Sequence, residues 1–139
     1  MHQHTTLGHA DAQRAIAAIE AELHRLGKAA AIAVADHTGE LIALLRLDGT
    51  PLSCIANATH KAFTAARESK PTRELGRAVR DPATGFDIAY FADPRYIGWG
   101  GGIPVKVAGQ TVGAVAVSGL PEDVDAQLAE IGVAAILKG

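Results

Sequence analysis

Ala29-Ala30-Ala31-Ile32-Ala33-Val34-Ala35, then Asp36-His37-Thr38-Gly39, then Glu40-Leu41-Ile42-Ala43-Leu44-Leu45-Arg46-Leu47: this stretch reads as two apolar runs of strand length joined by a short polar loop. The loop contains a glycine free to take positive φ, so the runs predict an antiparallel hairpin. A second pair of runs, Ile103–Val107 and Thr111–Val117, meets across Ala108-Gly109-Gln110 and predicts another. Tight connections of this kind exclude a doubly wound parallel sheet, whose strands need long crossovers.

Before this hairpin, apolar residues at Ala12, Ile16, Ile19, Leu23 and Leu26 follow helical spacing from Asp11 to Gly27. Leu52, Ile55, Ala56, Thr59, Phe63 and Ala66 mark one face of a second helix beside Pro51. Thr72–Val79 predicts a short third helix, Phe86–Phe91 a further strand, and Pro121–Leu137 a closing helix. The expected architecture is α+β, a sheet of about five antiparallel strands flanked by helices, in the order α-β-β-α-α-β-β-β-α.

At 139 residues, with 48% apolar and 20% charged, the chain fits one domain. Residues 1–9 read as a mobile tail and 10–139 as the domain. Thirteen basic and fifteen acidic side chains leave a net charge of -2, with no field for a polyanion, so nucleic acid is not an expected partner. No apolar run approaches the roughly 20 residues of a membrane span, and no leader pattern opens the chain, so a cytoplasmic location is expected. Cys54 is the sole cysteine, which excludes an internal disulfide and a thiolate zinc cage.

Five of the six aromatic residues (Phe86, Tyr90, Phe91, Tyr96 and Trp99) crowd into one segment, and Phe63 stands alone. Such clustering suits a lid, a planar-ligand wall, a subunit contact or plain packing. Gly100-Gly101-Gly102 before Ile103-Pro104 matches neither a phosphate loop nor a dinucleotide fingerprint. Its bare backbone could turn N–H groups toward an anion, or simply form a sheet corner. On the second helix, Ser53, Asn57, His60, Lys61 and Thr64 form a polar stripe. That stripe is either a solvated face or the seat of an acid–base pair, with His60 as proton carrier and Lys61 as cation. His24 flanks the first helix as an accessible imidazole. Ser118 lacks a nucleophile elbow.

In order along the chain, the segments 34–41, 44–49 and 58–65 (Ala-Thr-His60-Lys61-Ala-Phe63-Thr-Ala), Pro71-Thr72, Gly100-Gly101-Gly102-Ile103-Pro104 and 112–119 resemble the GlcG/HbpS-like family, which includes the C-terminal domain of PduO-type proteins. The resemblance implies helix-flanked antiparallel strands, a homo-oligomer (tetramer or octamer), and binding of haem or a corrinoid. His24 is placed like the iron-binding histidine of the PduO-type domain. In that reading Arg46 or Lys61 and the three glycines face the ligand's carboxylates, Phe63, Tyr96 and Trp99 wall it, and Ile103 and Pro104 complete the site. Residues 87–99 depart from the family's pattern. The alternative is an acid–base enzyme, an isomerase, lyase or hydrolase of a small carboxylate or carbonyl compound, using His60, Lys61 or Arg46, and the glycine loop as an oxyanion site.

Overall fold

The computed structural model describes the whole chain, residues 1–139. Its elements are α1 (His9–Leu26), β1 (Ala31–Asp36), β2 (Leu41–Arg46), α2 (Ser53–Glu68), α3 (Thr72–Arg80), a 3-10 turn (Ile88–Phe91), β3 (Gly102–Val107), β4 (Gln110–Ser118) and α4 (Glu122–Lys138). Both hairpins form as expected, and they join through β1 and β4 into one antiparallel sheet ordered β2-β1-β4-β3. No helix is long and apolar enough to cross a membrane.

The sheet has four strands, not about five, because Phe86–Phe91 does not extend. The Asp87 side chain accepts the Ala89 N–H and caps a 3-10 turn that Ala92 closes in the left-handed region. Strand β3 is an edge strand and carries Pro104, a residue tolerated at a sheet edge.

Alternation along the central strands separates two unlike faces. Ile32 and Val34 of β1, with Val115 and Val117 of β4, pack with Ile19 and Leu23 of α1 and Leu128 and Ile136 of α4. On the other face Ala31, Ala33, Ala35, Ala114 and Ala116 meet Ala58, Ala62, Ala65 and Ala66 of α2. Methyl against methyl lets α2 lie close to the sheet.

This rotates α2 away from the face the sequence suggested. Leu52 is exposed and Ala56 with it, whereas Lys61 and Thr64, expected on a polar stripe, are buried. The alanines of the central strands β1 and β4 let the helix come too close for Leu or Ile, so it turns its own alanines inward. The two polar groups come along because each finds partners. Thr64 Oγ1 donates to the Arg95 carbonyl and accepts the Ile97 N–H.

At the N-terminus, Asp11 sits one turn inside α1, where its carboxylate accepts the Gly8 N–H at 2.8 Å. The end of the expected tail is tied down, since Leu7 is buried and its N–H donates to the Val112 carbonyl.

Candidate functional site

The residues singled out from sequence occupy three places rather than one. Lys61 points from α2 to the end of the sheet where β3 begins and β4 finishes. Its Nζ donates to the Val117 carbonyl at 3.1 Å and to Asp125 Oδ2 of α4 at 3.2 Å, with both charged side chains fully buried. Asp125 Oδ1 accepts the Leu120 N–H, which fixes the turn into α4. Burial drives the Lys61 ammonium below its ordinary range against the opposing pull of Asp125, and burial likewise raises the Asp125 carboxyl. Trp99 stands over this pair with its ring centroid 5.4 Å from Nζ. A pocket of about 200 Å³ opens there, lined among others by Cys54, Asn57, Lys61, Trp99, Ser118 and Asp125.

The glycine loop serves this pair. A Cβ at Gly101, whose φ is +134°, would lie 2.8 Å from the Lys61 Nζ, and one at Gly102 would strike the Lys61 carbonyl. Two of the three N–H groups expected to face an anion are engaged within the protein. Gly100 donates to Glu122 at 2.9 Å, and Gly102 donates to the Thr72 hydroxyl at 3.0 Å. That hydroxyl in turn donates to the Trp99 carbonyl at 2.7 Å, so α3 holds both ends of the loop. The loop is a packing device for a buried lysine. Beyond it, Ile103 and Pro104 run half-buried along β3 opposite Val115 and Ala114.

The other aromatics pack against one another. Phe63 meets Tyr96 edge-on at 5.2 Å, and Tyr96 stacks on Phe91 at 4.2 Å. The Arg67 and Arg95 guanidinium groups lie 4.3 Å and 4.0 Å from the Phe63 ring. Arg95 is pinned by Asp93 and Glu40. This stack anchors residues 86–97 to α2, and neither Phe63 nor Tyr96 lines a cavity with Trp99.

His24 and Arg46, expected at one ligand, do share a cleft. About 290 Å³ in volume and open to solvent, it lies between the end of α1 and edge strand β2, with Glu20, Lys28 and Asp48 also on its walls and Ala29, Leu45 and Leu47 as its apolar part. The His24 ring is largely exposed, and its Nε2 lies 3.9 Å from Glu20, beyond hydrogen-bond reach. Lys61, Trp99 and the glycines are not in this cleft. His60 is half-buried on α2, lines neither cavity, and is turned about 100° from Lys61 by helical geometry.

Residues 7–134 match the family model described as haem degrading protein HbpS-like. The chain belongs to the HbpS-like family. Within that family it is 37% identical over 103 residues to the GlcG protein of Escherichia coli K12, covering 74% of each chain. It is 30% identical over 128 residues to a 15.0 kDa protein of the dhaT-dhaS intergenic region of Citrobacter freundii, covering 92% of this chain and 90% of that one. Among solved structures, Klebsiella pneumoniae ORFY superposes with a TM-score of 0.90 at 29% identity, covering 99% of this chain and 94% of that chain. A double mutant of Streptomyces reticuli HbpS superposes at 0.84 and 32%, covering 96% and 89%. The fold also matches a structure of a PduOC:heme complex, with a TM-score of 0.86 at 22% identity over 94% and 95% of the two chains.

In this HbpS-like chain sequence reasoning passed over Asp125 and weighed Ser118 and Cys54 only as a lone hydroxyl and a lone thiol, whereas all three are buried around Lys61 together with Thr72. Asp125 had one available signal. A lysine drawn inward by an alanine-rich helix needs a carboxylate, and the first turn of α4 is rich in them.

Proposed function

We propose that this HbpS-like protein binds haem in the cleft between α1 and β2, with His24 as the iron ligand and Arg46 and Lys28 facing the propionates. The observation that carries this is an exposed imidazole, free of hydrogen bonds, beside two cations that form no ion pair of their own. The residues fit the group: a nitrogen donor for iron, positive charge for two carboxylates, and Ala29, Leu45 and Leu47 as an apolar wall. A corrinoid presents mainly uncharged amides at its rim, so the cations favour haem. Bound haem would supply ligand exchange and one-electron chemistry at iron. The family match and the likeness to HbpS support the reading.

The cleft is too open for one copy to enclose a tetrapyrrole. It borders β2, an edge strand with no neighbour on its outer side. A second copy closing over this edge would complete it, so the reading includes a homo-oligomer, tetramer or octamer. The acid–base alternative through His60 is not carried forward, because His60 lines no cavity.

Titration of the purified protein with haemin is the test. Saturable binding with a Soret shift that His24→Ala abolishes is the expected result. Absence of saturation, or an unchanged spectrum in His24→Ala, would overturn the assignment.

A further inference from the structure

The Lys61 pocket lies outside the proposed haem cleft and has its own chemistry. An ammonium carries three donors. Two of those on Lys61 are taken by Val117 and Asp125, and the third has no hydrogen-bond partner. The amine is therefore buried, fixed in place and only partly satisfied, at the wall of a cavity of about 200 Å³ whose other sides include the Asn57 amide and the Ser118 hydroxyl. The groups that face it are Asp125 and Glu122 of α4 and Cys54 of its own helix, while Arg73 of α3 is already paired with Glu122. One cation among carboxylates offers no surplus positive charge, so an anionic ligand is disfavoured and an uncharged one favoured. The volume suits a short chain.

We propose that Lys61 and Asp125 form a carbonyl-capturing site, in which the Lys61 amine condenses with a short uncharged hydroxyaldehyde to give a Schiff base. The amine nitrogen adds to the carbonyl carbon, and a proton moves from nitrogen to the former carbonyl oxygen to leave a carbinolamine. Asp125 in its acid form protonates that hydroxyl, water departs, and the resulting carboxylate takes the remaining proton from nitrogen. Aldehyde and amine thus become imine and water, with no oxidant or reductant. Burial supports the step twice, since it favours the free amine of Lys61 and the acid form of Asp125. Asn57 and Ser118 are placed to hold the ligand's hydroxyl, and Trp99 covers the reacting pair.

The test is reductive trapping on the whole folded protein. With glycolaldehyde and sodium cyanoborohydride at neutral pH, peptide mass spectrometry should find Lys61 labelled severalfold more than the average of Lys28, Lys70, Lys106 and Lys138. Urea-unfolded protein should lose the preference, and glyoxylate should label Lys61 less than glycolaldehyde does. Asp125→Asn keeps an acceptor for the Leu120 N–H and, in samples shown to be folded by circular dichroism, should slow labelling of Lys61 even though loss of the carboxylate frees the amine further. Labelling of Lys61 no faster than the surface lysines in folded wild type overturns the proposal, and undiminished labelling in Asp125→Asn overturns the proton role. Haem titration reads His24 alone, so failure of either site leaves the other standing.

Discussion

Lys61 and Asp125 form a buried hydrogen-bonded pair at 3.2 Å that ties α2 to α4 around the end of the sheet, although the two helices pack on opposite faces of it. Removing one partner strands the other in the interior. Lys61→Met and Asp125→Asn should each cost about 3–5 kcal/mol, and the double variant should cost well under their sum. Urea denaturation of the three proteins measures this, and simple additivity would show that the pair is not coupled.

Glycines at the pair and away from it should separate two kinds of cost. Gly102 lacks positive φ, yet a Cβ there would strike the Lys61 carbonyl and crowd Thr72, so Gly102→Ala should cost several kcal/mol, above about 3. Gly49 has φ +86° with nothing nearby, and Gly49→Ala should cost only about 1 kcal/mol of backbone strain. Equal losses in thermal or urea unfolding would contradict the packing role given to the glycine loop.

Acid should loosen the aromatic loop before it disturbs the core. Hydrogen bonds from the Arg95 side chain and N–H hold the Asp93 carboxyl down to about 2 from an ordinary 3.8. The folded value lies below the unfolded one, so this contribution is fully present above pH 4 or so and is lost as pH falls from about 4 through about 2. Near-UV circular dichroism of the Phe91–Tyr96 stack should change across that window, and Asp93→Asn should remove that part of the change. A carboxyl resonance titrating at its ordinary value would refute it.

The hairpins were legible because their turns carry unambiguous chemistry, as in Asp36-His37-Thr38-Gly39, where the Asp36 carboxylate accepts the Thr38 and Glu40 N–H groups. His24 and Arg46 were set at one ligand only by the family resemblance, and that they share a cleft follows from α1 and β2 both ending beside it. The face of α2 was legible only in part, at Phe63 and Ala66, which are buried as expected. Leu52 and Ile55 looked like its core because a large apolar side chain usually is, but helix orientation here follows the alanines of β1 and β4, a long-range match. Alternation of Ala with Ile and Val in β1 was the available sign. Phe86–Phe91 looked like a strand through its aromatics, but whether a run extends depends on a free sheet edge, and the Asp87 cap prevails locally.

The alanine interface gives the last prediction. Ala116 of β4 and Ala62 of α2 belong to one fully buried cluster in which every sheet residue is alanine. Ala116→Val adds volume where the helix has no slack, and should cost about 1–3 kcal/mol by overpacking. Ala62→Gly should cost about 1 kcal/mol through helix propensity, more if burial is lost. If close approach is what sets the face of α2, the two changes should compensate, because a glycine on the helix makes room for the valine on the strand. The double variant should then be more stable than the sum of the two losses predicts, by at least about 0.5 kcal/mol. Strict additivity in urea denaturation would mean that the helix had already moved aside, and that the alanines do not fix its distance from the sheet.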